Sequence, residues 1–315
     1  MMYSAHAVVF EKPFTASVRE VRLSELSDDD VLVDIECSGV STGTEKLFWT
    51  GGMPAFPGMG YPLIPGYESV GIVRHASKQS TLVPGQRVFV PGSSAYQDVK
   101  GLFGGASETV IVAADRLVEV TDLDPESALM LALAATANNI VNTAGAEPGK
   151  TLIVGHGVLG RLIARLWMLR HDTLPVVWEV NPARVSGSET YSVTSSNDDT
   201  DTDYTTVIDA SGSASMLDQL IGRLSRHGQV VLGGFYPDRL SFDFAPAFMR
   251  SATIKVASEW TPADLGTVRA LISDRSLVVA DLLTHRFGVS DAMSAYDTAF
   301  NDASCLKSIV DWRLN

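Results

Sequence analysis

The chain has 315 residues, of which 45% are hydrophobic and 19% charged, and it carries a formal net charge of −13 at pH 7. This composition excludes a largely disordered chain, and the negative charge argues against nucleic acids and anionic membrane surfaces as partners. The two cysteines, Cys37 and Cys305, are too few for a disulfide scaffold, a four-cysteine zinc lobe or an iron–sulfur cluster. The length predicts two domains or one large one.

The sequence shows no pattern typical of a signal peptide or of a membrane-spanning helix. The N-terminal residues lack the basic start and the long apolar run of a signal peptide. The longest nearly uncharged apolar stretch, residues 128–141, is shorter than the roughly 20 residues that a spanning helix needs. We therefore expect a soluble, cytoplasmic protein without membrane insertion.

The first part of the chain, residues 1–123, is predicted to be a β domain. Short apolar runs are bounded by Gly, Pro, Asp or Ser, as strands at short spacing should be. These runs are residues 31–35, 69–73, 87–90 and 109–112. Regular helical periodicity is scarce here, so the pattern predicts an antiparallel, barrel-like domain.

From residue 124 the pattern changes to alternating strands and helices. Asp124 and Pro125 are typical of a helix start, and a buried helix is predicted over 128–143. Strands are then predicted over 151–154, 176–180, 207–210 and 229–232, with helices over 159–170 and 214–224. This alternation indicates an α/β, doubly wound parallel sheet over 124–284, and 285–315 is predicted to return to the first domain. The acidic segment 195–203 is interpreted as a solvated surface connection, with an acidic binding loop as the alternative.

A glycine-rich turn is the first candidate cofactor site. Residues 155–160 follow a predicted strand and open a predicted helix; they are Gly155, His156, Gly157, Val158, Leu159 and Gly160. The three glycines suit the tight turn, the approach of a pyrophosphate and close helix packing, respectively. The helix N-terminus offers free N–H groups to the phosphates.

The next strand predicts which dinucleotide binds. Glu179 stands 19 positions after Gly160 (179 − 160), at its expected place for accepting the ribose hydroxyls and repelling a 2′-phosphate. This favours NAD over NADP, although Arg184 could pair with a 2′-phosphate. Further candidate cofactor residues follow this strand and two later strands: Asn181, Arg184, Ala210, Ser211, Gly233 and Gly234.

The predicted order of a β domain, a dinucleotide-binding fold and a final return to the first domain resembles the medium-chain dehydrogenase/reductase superfamily. In that superfamily, a GroES-like barrel precedes a Rossmann domain. Residues 39–45, 65–71 and 84–88 resemble its first active-site loop, its Gly-His-Glu segment and its Gly-Asp-Arg-Val turn. In the superfamily, edge strands of nucleotide domains often join, so a homodimer is expected through the candidate edge strand 252–257.

Longer runs are similar to one group in that superfamily, the bacteriochlorophyllide dehydrogenases of phototrophic bacteria. These runs are residues 41–51, 56–68 and 101–106. The resemblance implies NAD-dependent oxidation of the 3-(1-hydroxyethyl) group of a bacteriochlorophyllide, a tetrapyrrole, to 3-acetyl. The alternatives are a zinc-free quinone or enoyl reductase of the same superfamily, or a pigment or nucleotide carrier without catalysis.

The pattern of zinc-dependent members is broken in this chain. Where they place Cys, His and a further ligand, the sequence has Ser41 or Thr42, then Tyr67, and no thiolate or carboxylate in 132–137. The lobe for structural zinc, near residues 92–104, contains no cysteine. Because hydroxyl groups are poor zinc ligands, we predict no metal.

Without a metal, a side chain must accept the proton of the alcohol. The resemblance suggests Tyr67, which should face the nicotinamide, or Thr44 as the first acceptor, tuned by Glu68 or Lys46. Glu68 is expected to be the only inward-facing carboxylate nearby. In the alternative readings, Tyr67 packs against the substrate and Glu45 caps loop amides.

The candidate substrate loop spans residues 51–66, with five glycines and four prolines. Proline limits its freedom and glycine permits tight turns. Its aromatic and Met side chains offer flat apolar surface to a planar macrocycle. Composition alone favours a surface loop packed on its own aromatics, whereas the family resemblance favours the substrate-binding interpretation. The candidate substrate-binding residues are Trp49, Phe56, Met59 and Tyr61.

Overall fold

The computed structural model describes two compact units, and each is taken by itself below. The residues described are 3–77, 80–145, 149–188 and 190–314. The first unit holds the described residues up to Ala132 and from Val279 onward, and the second holds Leu133–Val278. The boundaries fall close to the 123/124 and 284/285 that the sequence suggests.

The regular elements are named in chain order. The strands are β1 (Ser4–Lys12), β2 (Thr15–Arg22), β3 (Asp30–Val40), β4 (Leu63–Ile64), β5 (Ser69–Ala76), β6 (Arg87–Val90), β7 (Lys100–Gly101), β8 (Thr109–Ala113), β9 (Val118–Glu119), β10 (Thr151–Val154), β11 (Val176–Trp178), β12 (Ser192–Thr194), β13 (Tyr204–Asp209), β14 (Leu224–Leu232), β15 (Thr253–Val256), β16 (His285–Gly288) and β17 (Ser308–Asp311). The helices are α1 (Thr44–Thr50), α2 (Pro125–Leu129), α3 (Leu131–Ala144), α4 (Val158–Arg170), α5 (Leu217–Arg223), α6 (Phe244–Arg250), α7 (Pro262–Ser273) and α8 (Ala292–Asn301).

The first unit is built from two mainly antiparallel sheets, as predicted for the β domain. One sheet has the order β16-β17-β3-β5-β6-β9, with β8 also paired to β3, and the other has the order β2-β1-β4-β7. The central strand β3 consists almost wholly of buried residues. The last strand, β17, pairs antiparallel with β3 and places Val310 opposite Ser38. The end of the chain is therefore part of this unit's sheet.

The second unit is a parallel sheet with the strand order β12-β11-β10-β13-β14-β15. All five strand pairings are parallel. The expected α/β doubly wound fold is confirmed, and β15, within the candidate edge strand 252–257, lies at one edge. Because β10 and β13 are neighbours and β11 lies on the other side of β10, the carboxyl ends of the strands with the candidate cofactor residues meet at one edge of the sheet.

The bounds predicted for two helices are wrong. The helix predicted over 128–143 is two helices, because α2 ends before Met130 and the Met130 N–H bonds back to the Ser127 and Ala128 carbonyls in a tight last turn. As predicted, Pro125 opens α2, and Asp124 caps it by accepting from the Ser127 N–H. The helix predicted over 214–224 starts as a 3-10 turn at 214–216 and becomes α5 at Leu217.

The acidic segment 195–203 is a largely exposed connection that is anchored at Asp199. The Asp199 carboxylate accepts hydrogen bonds from the Trp178 indole N–H and the Tyr204 hydroxyl, each at 2.7 Å. The Arg223 guanidinium donates to the Asp199 and Asp201 carbonyls. These bonds fix the turn to the sheet, so the described segment has a defined conformation. In the described part of the chain, no helix has the length and apolarity needed to cross a membrane.

Candidate functional site

The glycine-rich turn between β10 and α4 has the geometry that its sequence predicts. Gly155 has a φ of +99°, a conformation that favours glycine, and its N–H donates to the Trp178 carbonyl at 2.8 Å. A Cβ at Gly160 would fall far inside van der Waals contact with the Gly155 carbonyl oxygen. Gly157 is the N-cap of α4, and the helix starts at Val158. The turn therefore brings backbone N–H groups and a helix N-terminus together, which suits a pyrophosphate.

Glu179 lies immediately after β11 and touches the same turn. One carboxylate oxygen accepts from the His156 N–H at 2.9 Å, and the other from the N–H groups of Val180 and Asn181 at 2.8 and 2.7 Å. The residue is 8% exposed. A carboxylate offers about four acceptor positions, so about one stays open to a ribose hydroxyl while the three amides hold the group in place.

The His156 side chain is not placed as a cofactor ligand, because both of its ring nitrogens contact other residues of the protein. It is fully buried, with Nδ1 2.6 Å from the Arg184 carbonyl oxygen and Nε2 2.8 Å from the Tyr191 hydroxyl. Burial lowers the pKa of the imidazole below its usual value, so it is neutral at pH 7. His156 thus reaches the cofactor turn through its backbone and anchors the segment after β11 through its ring.

Sequence reasoning missed Arg161, which organises that same segment. Its guanidinium is 5% exposed and donates to the carbonyls of His156, Gly187 and Ser186. The signal was an arginine inside the otherwise apolar start of α4. Arg184, by contrast, places its guanidinium 3.8 Å from where a Cβ on Gly157 would lie, so a cation stands beside the phosphate turn.

The ends of β13 and β14 bring together the remaining candidate cofactor residues. The Asp209 carbonyl accepts from the N–H groups of Gly233 and Gly234, at 2.8 and 3.0 Å. The Asp209 carboxylate accepts from the Ser211 N–H and hydroxyl and from the Tyr236 hydroxyl. The Ala210 N–H donates to the Val154 carbonyl at the end of β10. Asp209, which the sequence reading did not single out, is therefore the residue that joins these strand ends.

In the first unit, the side chains of Ser41 and Thr44 both contact the Tyr67 hydroxyl group. The Ser41 and Tyr67 hydroxyls are 2.9 Å apart, and the Thr44 side chain also bonds to Tyr67. Burial, and then the Glu68 charge, raise the pKa of Tyr67 above its usual value. The phenol therefore keeps its proton, but it can accept one hydrogen bond while donating another. Thr44 and Tyr67, both predicted, are thus brought together, with Ser41 as a third member.

Glu68 and Lys46, which were predicted to tune the proton acceptor, lie in different surroundings. Glu68 forms an ion pair with Lys307, and each side chain is 1% exposed. The Lys307 ammonium also donates to the Val40 carbonyl at 3.2 Å. Lys46 is not brought to this group, because its ammonium donates to the Phe300 carbonyl at 2.6 Å. Lys307 was missed, although a lysine directly ahead of the apolar strand β17 was a visible signal.

The expectation that Glu68 is the only inward-facing carboxylate nearby is wrong, because Glu45 is also 1% exposed. Glu45 accepts from the Ser41 N–H at 3.2 Å, as its capping interpretation required, and bonds to the Tyr296 hydroxyl. Burial, followed by the Glu68 charge, raises the pKa of Glu45 to about 8, against the lowering effect of Lys307. Burial therefore favours the protonated form of Glu45.

These residues do not fit a catalytic zinc ion. Where zinc-dependent members place their first two ligands, the resemblance sets Ser41 or Thr42 and then Tyr67, and the Ser41 and Tyr67 hydroxyls hydrogen-bond each other. Across the described ranges, no three His, Cys, Asp or Glu side chains form a group able to hold a metal ion. Cys37 and Cys305 are buried, and the Cys37 thiol contacts the Pro125 carbonyl at 3.9 Å. Hydroxyls are poor substitutes for thiolate and imidazole at Zn²⁺.

Of the four candidate substrate residues, three are held by contacts within the unit and one has an exposed ring. Trp49 packs edge-on against Phe10, 5.5 Å between ring centroids, and the Tyr61 hydroxyl donates to the Phe48 carbonyl. Met59 packs against the core of the unit. These three residues hold the loop in place, and among the four candidates Phe56 has the exposed ring.

Phe103 adds a second exposed ring that the sequence reading missed as a binding residue. Phe56 and Phe103 are 37% and 39% exposed, and both contact the buried Phe48 ring, at 6.5 and 6.3 Å between centroids. Phe103 also packs edge-on against Tyr67, at 5.6 Å. An apolar surface therefore adjoins the hydroxyl group that Tyr67, Ser41 and Thr44 form.

Comparison with known proteins agrees with this arrangement. The alcohol dehydrogenase GroES-like domain matches residues 27–122. By structure, the chain resembles L-idonate 5-dehydrogenase from Escherichia coli (TM-score 0.87, 18% identity, 99% of each chain). It likewise resembles 2R,3R-butanediol dehydrogenase from Bacillus subtilis (TM-score 0.85, 16% identity, 99% of each chain).

Two curated relatives cover nearly the whole chain, and both are named 2-desacetyl-2-hydroxyethyl bacteriochlorophyllide A dehydrogenase. The relative from Rhodobacter capsulatus is 47% identical over 97% of this chain and 98% of its own. That from Cereibacter sphaeroides is 45% identical over 98% of each. The chain therefore belongs to the bacteriochlorophyllide a dehydrogenase family of the medium-chain dehydrogenase/reductase superfamily.

Proposed function

We propose that this protein oxidises the 3-(1-hydroxyethyl) group of a bacteriochlorophyllide to a 3-acetyl group, with NAD as hydride acceptor, in bacteriochlorophyll a biosynthesis. The observation that carries the proposal is the pairing of the Tyr67–Ser41–Thr44 hydroxyl group with the exposed rings of Phe56 and Phe103. A secondary alcohol needs the hydroxyls, and a flat apolar macrocycle suits the rings. The names of the two relatives support the same substrate.

The second unit supplies the residues that would hold the dinucleotide. The backbone N–H groups of the turn at Gly155–Gly160 suit the pyrophosphate, and Glu179 suits an adenosine ribose hydroxyl. Ser211 and Gly234, at the ends of β13 and β14, suit the nicotinamide half. When bound, the dinucleotide accepts a hydride from the carbinol carbon. The Glu179 carboxylate would repel a 2′-phosphate, which supports NAD, whereas the Arg184 guanidinium beside the turn would favour NADP.

The first unit supplies the proton chemistry. The substrate hydroxyl donates a hydrogen bond to Tyr67 or Thr44, which orients it for loss of the hydride. Because Tyr67 is a neutral phenol bonded to the Ser41 hydroxyl, it can accept a hydrogen bond from the substrate alcohol while it donates its own to Ser41, and water takes up the proton that leaves along these hydroxyls as the hydride departs. Glu68 and Lys307 form the buried charge pair nearest to this path. No step of this path requires a metal.

A spectroscopic assay tests the proposed reaction. We expect the protein, with NAD and 3-hydroxyethyl-bacteriochlorophyllide a, to produce a red-shifted acetyl pigment under reducing, zinc-free conditions, and to do so more slowly with NADP. Tyr67→Phe should lower turnover by about 100-fold or more, as loss of a proton-transfer group does, with unchanged NAD affinity. The absence of a red shift with either dinucleotide would refute the proposed reaction.

Three outcomes of that assay separate the alternatives. Reduction of quinones or enoyl compounds with a preference for NADPH would indicate the reductase. Binding of NAD and pigment without turnover would indicate a carrier. Full turnover by Tyr67→Phe would remove Tyr67 from the proton path and leave Thr44 as the first acceptor.

We also propose a cytoplasmic homodimer joined at β15. The neighbouring helix α6 exposes the apolar side chains of Phe244, Phe248 and Met249, and Val256 on β15 is 76% exposed. An exposed apolar surface beside a sheet edge favours association with another copy. Light scattering should show a dimer that Val256→Lys weakens at least tenfold, whereas Val278→Lys, at an exposed site elsewhere in the unit, leaves it intact. A monomeric wild type at tens of micromolar would refute the dimer.

A further inference from the structure

A cavity that opens to solvent lies beside the candidate substrate loop of the first unit. Its volume is about 550 Å³, which is within the range of small-molecule sites. Gly58, Tyr61 and Pro62 of the loop form one wall, and residues of the segment 94–102 form the other. None of the described residues that line the cavity belongs to the Tyr67–Ser41–Thr44 hydroxyl group. The proposed proton chemistry therefore leaves the cavity without a role.

The cavity is close to the reaction site along the chain and in space. The strands β4 and β7 pair in parallel, and the Lys100 N–H donates to the Pro62 carbonyl at 2.9 Å. Phe103, whose ring packs edge-on against Tyr67, is only three residues after Lys100 (103 − 100). The Cα atoms of Lys100 and Phe103 are therefore at most about 11 Å apart. A tetrapyrrole whose hydroxyethyl group points at Tyr67 reaches the cavity with another edge of its macrocycle.

Two tyrosines in the cavity wall present ring surface to a ligand. The Tyr61 hydroxyl donates to the Phe48 carbonyl, and the Tyr96 hydroxyl donates to the Gly104 carbonyl at 2.6 Å. Because both phenolic protons are already donated within the protein, the rings are what these residues offer. Aromatic rings suit contact with a flat conjugated molecule.

The charge in the cavity favours an anion. Among the described residues that line it, Lys100 is the one cation. Its side chain is exposed, and its ammonium has no ion-pair partner in the described part of the chain. The acid in the same wall, Asp98, is already engaged, because it accepts from the Arg22 N–H at 3.1 Å and lies 3.9 Å from the Arg22 guanidinium. Lys100 is therefore available to a carboxylate from outside the protein.

We propose that this cavity binds the propionate-bearing edge of the tetrapyrrole, with the Lys100 ammonium paired to the propionate carboxylate and the rings of Tyr61 and Tyr96 against the macrocycle. This inference rests on the proposed oxidation of a bacteriochlorophyllide, the form of the pigment that carries a free carboxylic acid. The net charge of −13 repels such an anion, so a local cation is needed to hold it. A charge-assisted hydrogen bond from the ammonium also fixes the orientation of the ligand, which directs the hydroxyethyl group to Tyr67.

The carboxylate of the pigment provides the test. The ligands are 3-hydroxyethyl-bacteriochlorophyllide a and its propionate methyl ester, titrated by pigment fluorescence without dinucleotide. Lys100→Met should weaken binding of the acid about tenfold, as loss of a charge-assisted hydrogen bond does, and Lys100→Arg should restore it. The ester should bind the wild type about tenfold more weakly than the acid, and it should bind Lys100→Met as it binds the wild type.

Steady-state oxidation with NAD supplies a second measurement. Because the carboxylate is remote from the bond that breaks, Lys100 binds substrate and transition state alike. Lys100→Met should therefore raise KM for the acid by about the same tenfold factor and change kcat by less than about twofold. A fall in kcat with unchanged KM and unchanged affinity would overturn the proposal.

Arg116→Met is the matched control. It removes the same charge from an exposed residue of the first unit that does not line the cavity, so it should bind the acid as the wild type does. Equal affinity of the wild type for acid and ester, or an equal loss in Arg116→Met, would overturn the carboxylate site even if the pigment is oxidised. Binding of the acid that depends on Lys100 but leads to no oxidation would support the site and refute the proposed function.

Discussion

Gly160→Ala is expected to abolish dinucleotide binding, with a loss of at least ~100-fold in NAD affinity, which corresponds to about 2.7 kcal/mol. An alanine Cβ would penetrate the Gly155 carbonyl oxygen, and both atoms belong to the main chain or are fixed to it. The start of α4 must therefore move away from the turn that holds the pyrophosphate. Forced overpacking of this kind also costs about 1–3 kcal/mol of stability. Fluorescence titration and thermal unfolding measure the two effects.

Gly266→Ala is the matched control for this variant. Gly266 lies in α7 of the same unit, and a Cβ there would meet no atom within 4 Å. Because alanine favours helix more than glycine by up to ~1 kcal/mol, this control should bind NAD normally and be slightly more stable. Wild-type NAD affinity in Gly160→Ala would show that the turn does not hold the dinucleotide.

Lys307→Met is expected to lower the free energy of unfolding by about 3–5 kcal/mol, the usual cost of leaving one member of a buried ion pair alone. Lys307 and Glu68 are both buried, and Glu45 adds a second carboxyl group to the same place. Without the ammonium, Glu68 loses its ion-pair partner inside the fold. Denaturant unfolding at pH 8 measures the loss.

Two variants isolate the cause of that loss. Lys307→Met/Glu68→Gln removes both charges and should recover most of the stability, because a neutral pair carries no unpaired buried charge. Lys150→Met removes an exposed lysine that pairs with Asp201 and Asp203, and it should unfold as the wild type does. A Lys307→Met protein as stable as the wild type at pH 8 would mean that Glu68 is not held as a charged partner.

The cofactor turn was readable from the sequence because its determinants are local. Gly155, Gly160 and the helix start at Val158 lie within one strand–turn–helix unit, so their spacing is enough to predict the backbone. Glu179 was found at the expected interval for the same reason, since β10, α4 and β11 form one strand–helix–strand unit with parallel strands. The break at Met130 was missed because an apolar run carries no mark of where a helix changes its hydrogen bonding.

Within the candidate reaction site, the sequence identified single residues without their partners. The side chains of Tyr67 and Thr44, proposed from the resemblance, lie in contact, whereas Lys46 was assigned to a group it does not join. Whether Ser41 or Thr42 stands in the first ligand position stayed open in the sequence, and in the structure it is the Ser41 hydroxyl that contacts Tyr67. Phe103 was visible only as part of a family-like run until its ring was found against Tyr67.

By itself, then, the sequence determined the fold class, the dinucleotide turn, the scarcity of zinc ligands and the family. These depend on periodicity, on glycine sterics and on residue types, which are properties of neighbours along the chain. Only the tertiary structure decided that Glu45, Glu68 and Lys307 form one buried group. Their protonation depends on burial and on charges that the pairing of β3 with β5 and β17 brings together from distant positions, and no spacing in a sequence encodes such a distance.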